Sequence, residues 1–389
     1  MSSGEPLNLT AALYIHFPFC LRKCLYCDFN SLAGSTITPE AYTDCLIREM
    51  ELRRGRLTGI LSAPTLYFGG GTPSLMEPPL VARLVERGRN LFGLSAEAEV
   101  TLEANPGTLT PAKLAGYREA GVNRLSLGVQ SFSDSQLALL GRVHTARQAL
   151  DAFGAARSAG FDNVSIDLIH SLPGETPDAW LRDLRQAVEL GPEHISAYGL
   201  SVEEGTPFHL LESRGELLLP DEEEGVAMFL QTRNVLREAG YEHYEISSFA
   251  RPGRRSRHNQ VYWSRGNYLG FGAGAHAFLR SPGRGRRWSN ISAPGDYVAV
   301  IAGGEIPEEE VSFLTERDAM AEFFFLGLRM LEGVDLTLFG REFGCSAEDA
   351  YPGVAARLTE GGLTEWRDDF LRLTEKGLLI ANQVMMKFM

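Results

Sequence analysis

A chain of 389 residues with 44% apolar and 22% charged residues has the composition of a soluble globular protein, and its length exceeds one ordinary core. A net charge of −13 argues against general affinity for nucleic acid, and no apolar run approaches the roughly 20 residues of a membrane-spanning helix. Five cysteines, an odd number mostly near one end, make no disulfide framework and point to a reducing cytoplasm. No basic patch followed by an apolar core opens the chain, so no secretory leader is expected.

In chain order, a β-like run at Ala12–Phe17 leads into Cys20-Leu-Arg-Lys-Cys24-Leu-Tyr-Cys27, a C-x3-C-x2-C spacing. Further strands are predicted at 64–68, 99–103, 124–129, 163–168 and 194–199, alternating with helices at 39–54, 78–91, 111–120, 145–159 and 177–190. Thr38-Pro39, Thr110-Pro111 and Thr176-Pro177 each place proline at a first helical position behind a threonine cap. Gly121, Gly160 and Gly191 sit where helices end. Six β-α units of about 30 residues each imply an α/β fold whose parallel sheet is joined by helical crossovers. The unbroken alternation suits an incomplete TIM-like (β/α)6 barrel better than an open doubly wound sheet.

Beyond residue 205 the pattern changes. A helix is predicted near 221–239, followed by a stretch without Asp or Glu from Ile246 to Gly295 that carries nine arginines. Such a segment in an acidic chain suits a particular anion, or else forms two solvated loops. From Thr315 an apolar helix, shorter helices and two short runs around 363–366 and 370–373 resemble a winged-helix module spanning 311–383. Its acidic surroundings, Glu308–Glu310, Asp368 and Asp369, favour a packing or partner role over DNA binding. The predicted units are 1–205, 206–310 and 311–389.

Three thiolates on one loop can hold three irons of a [4Fe–4S] cube and leave the fourth iron open to a small molecule. A cluster that only carries electrons has a fourth cysteine close by, and none follows here. Structural zinc is the competing reading, with His16 as a fourth ligand. Cys45 and Cys345 look ordinary, and the helix face shared by Cys45, Tyr42, Leu46 and Met50 predicts a buried thiol. After the second strand, Gly69-Gly70-Gly71-Thr72-Pro73 lets backbone approach a ligand closely, or simply makes a tight turn. These features, with Glu103 and Gln130, fall at the C-terminal ends of predicted strands, where such barrels carry their sites.

Together the cysteine spacing, the aromatic before the third cysteine and the glycine turn resemble the radical S-adenosylmethionine (SAM) superfamily, over roughly residues 12–205. Tyr14-Ile15-His16-Phe17-Pro18-Phe19-Cys20 is similar to the lead-in of its coproporphyrinogen dehydrogenase (HemN-like) branch. The resemblance implies a [4Fe–4S] cluster on Cys20, Cys24 and Cys27, with Tyr14 and Tyr26 lining the SAM site. Gly70, Gly71 and Thr72 would meet the methionyl part of SAM, and Glu103, Gln130, Arg142 and Asp167 would supply polar contacts. The fold it implies is a partial TIM-like radical SAM barrel with a C-terminal α+β region.

Two features separate this chain from the porphyrin-oxidising members. Phe29 stands where those members have another cysteine, and His258-Asn259-Gln260-Val261-Tyr262-Trp263 resembles the H-N-x-x-Y-W signature of the heme-chaperone (HemW-type) members. The function implied is binding heme as cargo and delivering it to client hemoproteins such as respiratory cytochromes, with homodimerisation as a further expectation. The 246–295 segment would then offer arginines to heme propionates and His258, or alternatively His276, to the heme iron; a hydrogen-bonded structural role for His258 competes. The alternative activity is an oxygen-independent coproporphyrinogen III dehydrogenase. RNA modification, which usually brings extra cluster cysteines or an RNA-binding domain, fits least.

Overall fold

The computed structural model of the chain describes residues 8–281 and 283–389, so the first seven residues of the predicted 1–205 unit lie outside the described residues. Six strands pair in parallel in sequence order: β1 (Ala12–Phe17), β2 (Ile60–Gly70), β3 (Leu94–Ala104), β4 (Arg124–Gln130), β5 (Val164–His170) and β6 (His194–Gly199). Helices α1 (Pro39–Arg56), α2 (Pro78–Phe92), α3 (Pro111–Glu119), α4 (Ala146–Ser158) and α5 (Pro177–Leu190) form the crossovers. Thr38, Thr110 and Thr176 each accept a backbone N–H of the first helical turn, from Ala41, Lys113 and Ala179, as the Thr-Pro pairs predict. Leu13, Ile15, Leu66, Phe68, Leu102, Leu127 and Ile166 are fully buried, as expected of parallel strands covered by helices. Among the described residues no pairing joins the two ends of the sheet, so the barrel is partial.

Residues 206–310 extend this sheet on both flanks. After α6 (Glu222–Glu238), β7 (Glu242–Glu245) and β8 (Ser248–Ala250) add antiparallel strands beyond β6. Helix α7 (Arg257–Trp263) follows, and then β9 (Tyr268–Phe271) pairs in parallel with β1 on the side away from β2. β10 (His276–Leu279), β11 (Arg286–Asn290) and β12 (Glu308–Phe313) continue outward antiparallel. Leu269, Phe271, Trp288, Tyr297 and Ile301 share the barrel's hydrophobic core. This stretch therefore flanks one sheet rather than linking two bodies. A buried carboxylate fastens it: Glu49 on α1 accepts from Gly272 N, Tyr297 Oη, Asn290 Nδ2 and Arg53 Nε, all at 2.7–2.8 Å.

The C-terminal residues build a second core around Phe324, Leu328, Phe339, Leu371 and Met385. Helices Glu316–Gly327, Leu336–Phe343 and Val354–Glu360 accompany a three-stranded sheet in which Phe370–Leu373 lies between Val334–Asp335 and Thr364–Arg367.

The arginine-rich segment is not an open anion site. Arg265 is buried and pairs with Glu322 and Glu342, Arg287 with Glu322, Arg280 with Glu342, and Arg284 with Glu316. Arg255 bridges Glu242 and Glu332, Arg286 pairs with Glu308, and Arg254 with Asp162. Arg251 and Arg257 donate to the carbonyls of Ala239 and Glu97. Sequence alone shows a stretch without acids; the fold supplies them, largely from the C-terminal module. Seven of the nine arginines are thus paired with carboxylates.

Candidate cofactor site

The C-terminal ends of the barrel strands surround a cavity of about 370 Å³. Its mouth is the loop after β1 that carries Cys20, Cys24 and Cys27, all half-buried and unbridged. That loop is fixed from several sides. Cys27 N donates to Cys24 O, Leu25 N to Leu140 O, and Phe208 N to Leu25 O, while Asn30 Nδ2 reaches Ala273 O and Ser292 O. Phe29, which takes the place of a further cysteine, is 60% exposed beside them. Among the described residues no group of three or more Cys, His, Asp or Glu converges on a single metal-ion position. His16 offers no fourth ligand to zinc either: its Nε2 lies 2.8 Å from Asn30 O and its Nδ1 3.1 Å from Tyr14 Oη.

Opposite the thiols lies the turn after β2. Gly70 holds φ +111°, and a Cβ there would sit 2.7 Å from the His16 ring. A Cβ on Gly71 would sit 2.7 Å from Phe19 O and 3.0 Å from Cys20 Sγ. The backbone therefore approaches the cysteine loop as closely as glycine permits, and Gly71 N and Thr72 N donate to Phe17 O and Phe19 O. Two side chains also point donors at sulfur: Thr72 Oγ1 is 3.4 Å from Cys20 Sγ, and Arg142 Nη1 is 3.5 Å from Cys24 Sγ. Burial pushes the Cys27 thiol up, and the thiolate, the form that binds iron, is reached on binding the metal. The donor set and the glycine cradle fit a three-cysteine iron–sulfur cluster with a ligand beside it.

Deeper in the cavity stand the predicted polar residues. Tyr67 donates to Glu103 at 2.7 Å, yet burial pushes the Glu103 carboxyl up to about 7. Burial likewise raises Asp167, although it accepts from Ser126 at 2.8 Å and Ser165 at 3.2 Å. Gln130 ends β4 at φ +69°, a left-handed conformation costly for a non-glycine residue, beside a register shift between Gly128 and Gln130. Gly128 makes room: a Cβ there would sit 3.0 Å from Gln130 Nε2 and 3.2 Å from Arg142 Nη2. Arg142 donates to Gly128 O at 2.7 Å, and its buried Nε has no partner among the described residues.

The cavity thus brings together the three cysteines, Tyr26, Gly70, Gly71, Thr72, Glu103, Gln130, Arg142 and Asp167. It does not include Tyr14 or His258. Tyr14 turns its hydroxyl to His16 and stacks its ring near Tyr67. His258 is 1% exposed; its Nδ1 lies 2.8 Å from Thr65 Oγ1, its Nε2 2.7 Å from Tyr262 Oη, and burial lowers its pKa to about 3. Both ring nitrogens of His258 are thus hydrogen-bonded in the interior, the arrangement that a structural role would give. His276 is exposed at the start of β10. Cys45, expected to be buried, is half-buried against the core. Arg124, Ser126, Ser196 and Asn259 also line the cavity and went unpredicted. For Ser126 and Ser196 the only signal was their place in predicted strands.

The sequence profile of the Radical SAM superfamily matches residues 14–187, and that of the HemN C-terminal domain matches 314–380. The heme chaperone HemW of Escherichia coli is 37% identical, the similarity covering 97% of this chain and 98% of that protein. The chain belongs to the HemW family of radical SAM proteins. Another HemW-family relative, the heme chaperone of Bacillus subtilis, is 36% identical over 97% of this chain and 98% of its own. A bovine mitochondrial radical S-adenosyl methionine domain-containing protein 1 is 36% identical over all of this chain and 89% of that protein. The solved structure of E. coli coproporphyrinogen III oxidase (HemN), described as a radical SAM enzyme, superposes with a TM-score of 0.83 at 23% identity, covering 98% of this chain and 90% of that one. That likeness establishes the shared fold. In this HemW-family chain, the H-N-x-x-Y-W segment forms α7, in which His258 is buried and Asn259 lines the cavity.

Proposed function

We propose that this protein is a heme chaperone that carries a [4Fe–4S] cluster on Cys20, Cys24 and Cys27, binds SAM in the barrel cavity, and delivers heme to client hemoproteins such as respiratory cytochromes. The observation that carries this reading is end-to-end similarity, at 36–37% identity, to proteins named as heme chaperones. Bound there, a cluster with one iron free of protein ligands supplies a chelation site for an amino acid and a source of single electrons. The chain's own residues do the rest. Gly70 and Gly71 admit the ligand's backbone-like end, Thr72 and Arg142 donate to the sulfurs of Cys20 and Cys24, and Arg142 pairs with a ligand carboxylate. Glu103, Gln130 and Asp167 accept from hydroxyl and ammonium groups, while Tyr26 closes one wall. Tyr14 supports the site from outside the cavity.

In this reading residues 12–205 form the cofactor barrel, 206–310 its flanks, and 311–389 a module clamped against them. The same reading places the protein in the cytoplasm and expects a homodimer; among the described residues no helix is long and apolar enough to cross a membrane. The test is anaerobic reconstitution followed by two additions. Heme is expected to give a stoichiometric Soret band, while SAM and coproporphyrinogen give no protoporphyrinogen. Rapid decarboxylation of coproporphyrinogen without heme binding would overturn the proposal.

A further inference from the structure

At the foot of the cavity stands a buried arginine whose charge faces the carboxylates of Glu99, Glu103 and Asp167. Arg124 opens β4, is 2% exposed, and lines the cavity; its Nε has no hydrogen-bond partner among the described residues. Its polar neighbours are committed elsewhere. Glu99 spends both oxygens on the backbone N–H groups of Arg257 and His258. His258 is held between Thr65 and Tyr262, and His194 between Ser165 and Tyr244, each at 2.7–2.8 Å. Asp167 takes the hydroxyls of Ser126 and Ser165. These carboxylates balance the charge of Arg124, but a buried guanidinium N–H without an acceptor is unfavourable until a ligand completes it. Asn259, on α7, lines the same cavity.

We propose that Arg124 and Asn259 form a seat for one carboxylate group at the cavity floor, distinct from Arg142 at its mouth. The separation follows from the strand: Arg124 is the first residue of β4, whereas Arg142 bonds Gly128 O near its far end and Cys24 Sγ on the cysteine loop. A guanidinium fork matches the two oxygens of a carboxylate, and a carboxamide N–H adds a third donor. Glu103 and Asp167 line the same cavity, which disfavours a doubly charged phosphate and selects a monoanion. The class of ligand is therefore a small carboxylate or the carboxylate arm of a larger molecule. This inference stands on the cavity alone and survives failure of the chaperone reading.

The test uses full-length protein, with sodium propionate as the probe and sodium chloride at matched ionic strength as the control. Propionate is expected to raise the melting temperature of wild type, and Arg124→Gln is expected to abolish that rise without lowering the unliganded melting temperature. SAM affinity in the same variant is expected to change by less than about threefold, well under the tenfold that 1.4 kcal/mol represents. Asn259→Asp, which keeps Arg124 and adds a carboxylate to the same cavity, is expected to raise the unliganded melting temperature and remove the propionate response. A destabilised Arg124→Gln that still responds to propionate, or a wild type that responds no more than to chloride, would show a merely structural arginine. A parallel loss of SAM affinity beyond tenfold would assign Arg124 to the carboxylate of SAM and remove the separate seat.

Discussion

Gly71 leaves no room for a side chain beside Cys20: a Cβ on Gly71 would lie 3.0 Å from Cys20 Sγ. The same Cβ would meet Phe19 O at 2.7 Å and the Pro18 carbonyl carbon at 2.9 Å, so backbone and not a flexible side chain would have to yield. Gly71→Ala is predicted to displace the cysteine loop, costing about 1–3 kcal/mol and sharply reducing the iron bound after anaerobic reconstitution. Unchanged iron and sulfide content in a folded Gly71→Ala would contradict the cradle described here.

Glu103 provides a pH test. Its carboxyl titrates near 7 in the folded protein and in the ordinary carboxylate range when unfolded, so between about 4.5 and 7 the folded state holds more protons. The contribution of Glu103 to the stability of the ligand-free protein should therefore fall as pH rises through that window, opposite in sign to that of the buried histidines. Glu103→Gln removes this contribution and should raise the melting temperature at pH 8 while leaving it nearly unchanged at pH 4, by at most about 3 kcal/mol and less because cavity water screens the charge. Glu175, which burial also pushes up to about 7, titrates alongside it, so the comparison of variant with wild type isolates Glu103. Equal differences at both pH values would contradict the assignment.

The C-terminal module is held by Arg265, 3% exposed between Glu322 and Glu342, and by Arg329 stacked 4.4 Å from the Trp263 ring centroid. Without Arg265, Glu322 keeps Arg287 and Glu342 keeps Arg280, so neither carboxylate is stranded. Arg265→Ala is predicted to cost about 1–3 kcal/mol and to open the 311–389 region to limited proteolysis before the barrel. Cleavage beginning within the barrel would show that the clamp does not govern this interface.

His258 bridges Thr65 and Tyr262 and stacks on Tyr67 at 4.9 Å between centroids. His258→Gln should lower stability by about 1–3 kcal/mol, because a buried hydroxyl loses its partner, yet leave the heme Soret position unchanged. Loss of that band in a protein that still folds would reinstate His258 as the axial ligand.

Sequence resolved the barrel well because its signals are local. The Thr-Pro starts, the glycine ends and the apolar runs each act within a few residues, and all six strands and five crossover helices lie where they were expected. Boundaries slipped where distant pairing extends an element: β2 begins at Ile60, where the short strand Asn8–Thr10 pairs with it. The parallel strand β9 was missed because Tyr268–Phe271 takes its parallel pairing from β1, more than 250 residues earlier in the chain. Of the candidate site, the cysteines and the strand-end residues carry spacing that sequence displays. The arginine-rich segment misled because its counter-charges, Glu322 and Glu342 among them, are remote in sequence. Arg124 was illegible for a similar reason, since only the fold reveals that its neighbours are already bonded to one another.

The most direct test of the chaperone reading is heme transfer. Reconstituted protein loaded with heme is mixed with a heme-free client cytochrome, and the spectrum of the acceptor is followed. The account predicts that the acceptor gains heme from the loaded protein faster than from free heme, and that the donor Soret band declines in step. A donor that keeps its heme, or an acceptor that fills only at the free-heme rate, would contradict it.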